Sequence, residues 1–257
     1  MLNLILSGAG GKLARCVAEC AYASDDCKVI CGIDPFVDPA AYPFPVVKTA
    51  AETAPYIEGT TVLFDASLPS VLPTYLPFVR ENRLPTVIAT TGYGEAELSQ
   101  LDAAKADIPI FYGRNMSLGV AVLKELAKTA ARILGNSFDI EIIEAHHNKK
   151  VDAPSGTALI LAEAINEGLS APRPYCFDRT GRSEPRPKNE IGIHAVRGGT
   201  ITGDHVVLFA GYDETITLSH HSGSRKLFAA GCLSAVRFTA AQAPGLYGME
   251  DMTNFCV

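Results

Sequence analysis

The sequence predicts an α/β protein in two parts: repeated βα units around a parallel sheet, then an α+β part with a mixed or antiparallel sheet. Three observations predict it. Up to about residue 115, short apolar runs of strand length alternate with helical patterns. Beyond that point, strand-like segments follow one another with turn signals between them. A last helical pattern, over 224–242, is apolar enough to pack back onto the first part, which makes that domain discontinuous.

In chain order, LNLIL (2–6), KVICGI (28–33), TVLF (61–64), TVIAT (86–90) and IPIFY (108–112) are rich in Val and Ile and lack polar alternation. Strands buried on both faces read this way. Amphipathic patterns near 12–23, 70–82 and 94–106 supply the helices between them. A long helical pattern over 117–134 opens the second part, and Phe138, Ile140 and Ile142 then alternate with polar positions as in a half-buried strand. A helix near 156–167, a Pro/Arg/Lys-rich loop over 171–189 and the strands EIGIHAV, HVVLFAG and ETITLSH follow, with turns at Gly198-Gly199 and Tyr212-Asp213. The final helix stops at Pro244-Gly245.

Composition narrows the function. The 257 residues are 47% hydrophobic, enough for a buried core, and the net charge of -6 without any Lys/Arg run speaks against a nucleic-acid surface. No apolar run approaches the roughly 18 residues that cross a bilayer. The first run breaks at Ser7, too short for a signal-peptide core, so a cytoplasmic protein with no membrane partner is expected. Seven cysteines at irregular spacing fit reduced thiols. Cys16, Cys20, Cys27 and Cys31 lie close in sequence, but their spacing favours core packing over a metal site, and no metal is expected.

Between the first strand and the first helix stands Gly8-Ala9-Gly10-Gly11. Glycines permit a tight turn and let backbone N–H groups approach a pyrophosphate at the positive end of the next helix. The strict G-x-G-x-x-G pattern fails at Leu13, whereas G-x-x-G-x-x-[G/A] is met by Gly8, Gly11 and Ala14. An ordinary tight turn is the plainer alternative. Asp34 ends the second strand where a ribose acceptor is expected, and Pro35 follows it in place of an arginine that would pair with a 2′-phosphate. NADH is therefore expected over NADPH, with Lys12 partly offsetting the repulsion and NADPH as the second cofactor.

The segment EAHHNKKVDAPSGTAL reads as a strand end, a basic loop and a helix start. Ser155 suits an N-cap, which places Gly156 and Thr157 in the first helical turn, where amides hold an anion. Lys149 and Lys150 add positive charge, so a small substrate carrying carboxylates fits, and a histidine is the side chain suited to proton transfer near neutrality. The competing reading is a strand end at His146 and His147 followed by a solvated lysine loop. A zinc site from adjacent histidines is disfavoured, because strand neighbours point to opposite faces. All six histidines lie in the second part.

At these residues the sequence resembles the dihydrodipicolinate reductase family of lysine and diaminopimelate biosynthesis. The signature E-x-H-H-x-x-K-x-D-A-P-S-G-T-A is filled from Glu144 to Ala158, and GAGGKLAR, ATTGY, GRNMSLGV and SRKLFAAG agree in order along nearly the whole chain. The resemblance implies a Rossmann-like dinucleotide-binding domain from residues 1–116 and 223–257, and an inserted substrate and oligomerisation domain from 117–222, assembled as a homotetramer. It implies nicotinamide-dependent reduction of a cyclic conjugated imine dicarboxylate, with His146 as proton donor and Lys150 as the essential lysine. His147, Gly156 and Thr157 would hold carboxylates. Cofactor contacts would come from Gly8, Ala9, Gly10, Gly11, Lys12, Leu13, Asp34, Ala89, Thr90, Thr91, Gly113, Arg114, Asn115 and Met116. The chain departs from the family at Lys12, at Asp34-Pro35, at Ala89 and at FDASLP (64–69), all on the cofactor side. Arg225, His220 and His221 stay without an assigned role. Two alternatives stand beside this reading: a non-catalytic dinucleotide-binding sensor of the same fold, and a reductase of another small imino or keto acid.

Overall fold

The computed structural model describes residues 1–253. The chain runs β1 (Leu2–Ser7), α1 (Lys12–Tyr22), β2 (Cys27–Ile33), β3 (Val46–Val47), β4 (Thr61–Asp65), α2 (Leu72–Glu81), β5 (Thr86–Ile88), α3 (Glu95–Ala104) and β6 (Pro109–Tyr112). It continues through α4 (Leu118–Leu134), β7 (Asp139–His146), α5 (Gly156–Gly168), β8 (Tyr175–Cys176), β9 (Ile191–Arg197), β10 (Asp204–Ala210) and β11 (Thr215–His221). It closes with α6 (Lys226–Thr239), β12 (Gly245–Tyr247) and α7 (Met249–Thr253). Two compact units result: Met1–Leu118 with the chain from Arg225 onward, and Gly119–Ser224.

In the first unit the strands order as β12-β6-β5-β4-β1-β2-β3, with every pairing parallel. This is the doubly wound arrangement, and the order reverses between β1 and β4. Successive residues of a strand face opposite layers, so Leu4 and Leu6 join Val17, Cys232 and Val236 beneath α1 and α6, while Ile5 joins Leu72, Val79 and Leu101 beneath α2 and α3. Burial on both sides explains why these runs show no polar alternation. α6 packs on α1, and the small side chains of Ala18, Ala21, Ala229 and Ala235 are buried in the same core.

The sheet of the second unit orders as β11-β10-β7-β9-β8 and is mixed: β7 pairs antiparallel with β10 and parallel with β9. The parallel pair requires a crossover, which α5 and the following loop supply. One face is covered by α4 and α5, whose Leu123, Ala127, Leu161 and Ile165 pack on Ile140, Ile142, Ile193 and Phe209. The loop expected over 171–189 is pinned to the strands by charge: Arg179 Nη2 lies 2.7 Å from Glu141 Oε1 and from Glu190 Oε1, and Arg186 Nε lies 2.7 Å from Glu141 Oε1.

Gly231 marks the tightest approach of α6, since a Cβ there would stand 1.7 Å from the Met116 carbonyl oxygen. Gly231→Ala is expected to lower stability by about 1–3 kcal/mol through overpacking, read as a drop in denaturation midpoint; an unchanged midpoint contradicts the close packing.

Candidate active site

The β1–α1 turn depends on its glycines. Gly8 has φ of +73°, and a Cβ on it would stand 2.8 Å from the Ala66 carbonyl oxygen. Gly11 is the N-cap of α1 through its backbone alone, and no acidic side chain occupies the first turn, so the positive end of the helix faces an open site. Asp34 reaches back to this turn: Gly10 N–H donates to its Oδ2 at 2.9 Å and Phe36 N–H to its Oδ1 at 3.0 Å. A cavity of about 550 Å³ opens beside Gly8, Gly11, Asp34, Ala66 and Ser67 at the strand ends where the order reverses.

A second cavity, of about 340 Å³, brings together Lys12, Leu13, Ala89, Thr91 and the segment Gly113–Met116, with Arg225 on its rim. Two of the expected contacts are turned inward instead. Ala9 is buried against the core, and a Cβ on Gly32 would meet it. Thr90 is buried too, and its hydroxyl donates to Asp65 Oδ2 at 2.6 Å while accepting the Ser67 N–H at 2.9 Å. Asp65, to which the FDASLP segment gives no sequence signal of its own, is fully buried and also accepts the Ser67 hydroxyl at 2.5 Å. Burial raises its carboxyl above the usual range, against those hydroxyl bonds. It ties the end of β4 to Thr90, just past β5.

In the second unit the inward face of β7 runs Phe138, Ile140, Ile142 and then changes to Glu144 and His146. Glu144 is fully buried. Its Oε1 accepts Ser155 N–H at 3.0 Å and Arg197 Nη2 at 2.8 Å; its Oε2 accepts Arg197 Nη1 at 2.8 Å and lies 2.6 Å from His146 Nδ1. Burial alone would raise this carboxyl, but the Arg197, His146 and Ser155 bonds outweigh it and hold it below the usual carboxylate range. An ionised carboxylate only accepts, so Nδ1 of His146 carries a hydrogen and Nε2 is the nitrogen left for chemistry. Nε2 stands 3.0 Å from where a Cβ on Gly203 would be, so glycine keeps that nitrogen clear.

Ser155 caps α5, its Oγ accepting Ala158 N–H at 3.2 Å. The same Oγ lies 3.1 Å from Nε2 of His205, whose ring is 5.2 Å from that of His146 in an edge-to-face pair. Burial, with His146 nearby, pushes His205 down to about 4, so it is neutral at neutral pH. A Cβ on Gly156 would meet nothing within 4 Å, which leaves the start of α5 open beside Thr157. The Lys150 ammonium lies 2.8 Å from Asp152 Oδ1, and the Lys150 backbone N–H donates to the His147 carbonyl; the His147 Nδ1 is buried with no hydrogen-bond partner among the described residues. His220 faces His205 across the β10–β11 register, and His221 lies 2.5 Å from Asp204. Glu144, Arg197 and His205 carried no role in the sequence reading. The available signal was a charge at an inward position of an apolar strand, which must be paired when buried.

Residues 2–116 match the family model described as dihydrodipicolinate reductase, N-terminus, and residues 119–253 match that described as dihydrodipicolinate reductase, C-terminus. A 4-hydroxy-tetrahydrodipicolinate reductase of Caldanaerobacter subterraneus subsp. tengcongensis is 46% identical, with 98% of each chain covered. One of Clostridium tetani is 41% identical over 99% of this chain and 98% of its own. Among solved structures, a dipicolinate-bound dihydrodipicolinate reductase from Paenisporosarcina sp. TG-14 superposes with a TM-score of 0.78 at 24% identity, covering 98% of this chain and 99% of that one.

Because the folded Glu144 carboxyl lies below its unfolded value of about 4.3, its contribution is present above that pH and lost as pH falls through the folded value. Glu144→Gln, which leaves Arg197 without a counter-charge, is expected to cost about 3 kcal/mol at pH 7. The gap in Tm between parent and variant should narrow as pH drops below about 4; a gap constant from pH 7 to pH 3 contradicts the pairing.

Proposed function

The chain belongs to the dihydrodipicolinate reductase family, and from that membership we propose which residues carry its chemistry. It catalyses the NAD(P)H-dependent reduction of 4-hydroxy-tetrahydrodipicolinate in lysine and diaminopimelate biosynthesis, on a small dicarboxylate substrate. A bound dihydronicotinamide supplies the hydride. In the proposed division of labour, His146 gives the proton to the electron-rich ring that hydride addition leaves. Lys150 places its charge by the ring nitrogen and a carboxylate, and His147, Gly156 and Thr157 hold carboxylates at the positive end of α5. The observation that supports the His146 role is the 2.6 Å contact between its Nδ1 and the buried Glu144, which fixes the tautomer and leaves Nε2 without a carboxylate partner among the described residues. A sensor without chemistry has no use for such an oriented histidine.

For the cofactor, the glycines at 8, 10 and 11 admit the pyrophosphate to the start of α1, where Lys12 and Leu13 stand, and the second cavity takes the nicotinamide end along Ala89, Thr91 and Gly113–Met116. The fit is supported by the positive φ of Gly8 and by the contact a Cβ there would make. Asp34 favours NADH, with NADPH the second cofactor. We further propose a homotetramer joined through the outer sheet face of the second unit, where Ile143, Val206 and Leu208 are half-buried and Val196 is exposed. A cytoplasmic location accords with the absence, among the described residues, of any helix long and apolar enough to cross a membrane.

The deciding assay follows NADH oxidation with freshly generated substrate. His146→Gln and Lys150→Met should each lower kcat by about 100-fold or more, with NADH affinity retained; near-normal turnover in either removes that residue from the mechanism. A higher kcat/KM with NADPH than with NADH overturns the Asp34 preference.

A further inference from the structure

We propose that Lys48 is the residue that sets acceptance of the cofactor's adenosine 2′-phosphate. This inference rests on the cofactor reading above and goes beyond it by naming the specificity determinant. The end of β2 offers Asp34 and Pro35, with no cation following the acid. The neighbouring strand offers one. β3 pairs parallel with β2 through Gly32↔Val46 and Ile33↔Val47, and Asp34 N–H donates to the Val47 carbonyl at 2.9 Å. Lys48 is thus the next residue beside Asp34, and both line the 550 Å³ cavity with Gly8 and Phe36.

Among the described residues that line this cavity, Lys48 is the only lysine or arginine. Its ammonium has no ion-pair partner among the described residues; Glu52, close in sequence, accepts the Lys48 backbone N–H at 3.0 Å instead. The other cations near the glycine turn are placed elsewhere. Arg15 donates to the Tyr42 hydroxyl at 3.1 Å and lies 5.8 Å over its ring, and Lys12 lines the second cavity. Asp34 in turn has one backbone N–H on each carboxylate oxygen, from Gly10 and Phe36, which draws part of its charge into the turn. A phosphate entering beside the ribose meets an unpaired ammonium and a carboxylate already bonded. The chain thereby compensates with β3 for the arginine that is missing after the acid of β2.

The test uses the whole protein without substrate: calorimetric titration with adenosine 2′,5′-bisphosphate and, separately, 5′-AMP. Lys48→Gln should lower the affinity for the bisphosphate relative to 5′-AMP by about tenfold. Lys48→Arg should restore the ratio, Lys48→Glu should lower it further, and kcat/KM for NADPH over NADH should move in the same order. Arg15→Gln should leave the ratio as it is. An unmoved ratio in Lys48→Gln, equal loss of both nucleotides, or a loss that appears in Arg15→Gln instead overturns the proposal while 5′-AMP binding to the parent keeps the cofactor site standing. If the parent binds neither nucleotide, the cofactor reading fails and the proposal with it.

Discussion

The arrangement of the second unit depends on one buried carboxylate. Glu144 is fully inaccessible, yet it collects four hydrogen bonds from three chain segments: Arg197 at the end of β9, Ser155 at the start of α5 and His146 at the end of β7. An unpaired charge at that depth would cost several kcal/mol. The fold is therefore constrained to bring those segments to Glu144. An apolar residue there would remove the cost and also the bond that holds the His146 ring.

The first unit carries another buried carboxylate, with the opposite outcome. Asp65 meets hydroxyls from Ser67 and Thr90, and burial raises it; Glu144 meets a guanidinium, and its bonds lower it. Depth is similar in the two cases. What differs is the partner: a full positive charge offsets lost hydration, whereas neutral hydroxyls offset only part of it. Both carboxylates join the ends of elements at a site, Asp65 by tying β4 to β5 and Glu144 by tying β7 to β9 and α5.

Much of this was legible in the sequence because the relevant signals are local. Five strands of the first sheet are apolar runs, the glycine turn is contiguous, and the signature from Glu144 to Ala158 is unbroken. The two- and three-residue strands β3, β8 and β12 were not legible, since edge pairing of so few residues leaves no periodicity. Side-chain roles set by distant partners were hidden as well. Arg197 lies 53 residues from Glu144 and His205 lies 50 from Ser155, and nothing near them in sequence marks them as partners of those residues. Thr90 shows a different limit: its position was legible, but the demand of the buried Asp65 turns its hydroxyl away from the cavity.

The contacts of the second unit form a closed circuit. Glu144 binds the Ser155 N–H, the Ser155 hydroxyl reaches His205, the His205 ring packs on His146, and His146 returns to Glu144. Each member holds two others, so the end of β7 and the start of α5 are not positioned independently. Ser155 in particular both caps α5 and anchors His205, and its loss would release the first turn of the helix together with the ring that packs on His146. Substitutions within such a circuit are non-additive, because the first break already frees groups that the second would have freed. The neutrality of His205 fits the same logic: its buried ring bonds the Ser155 hydroxyl and, among the described residues, no carboxylate, so no ion pair in the circuit offsets the lost hydration of a charged imidazole.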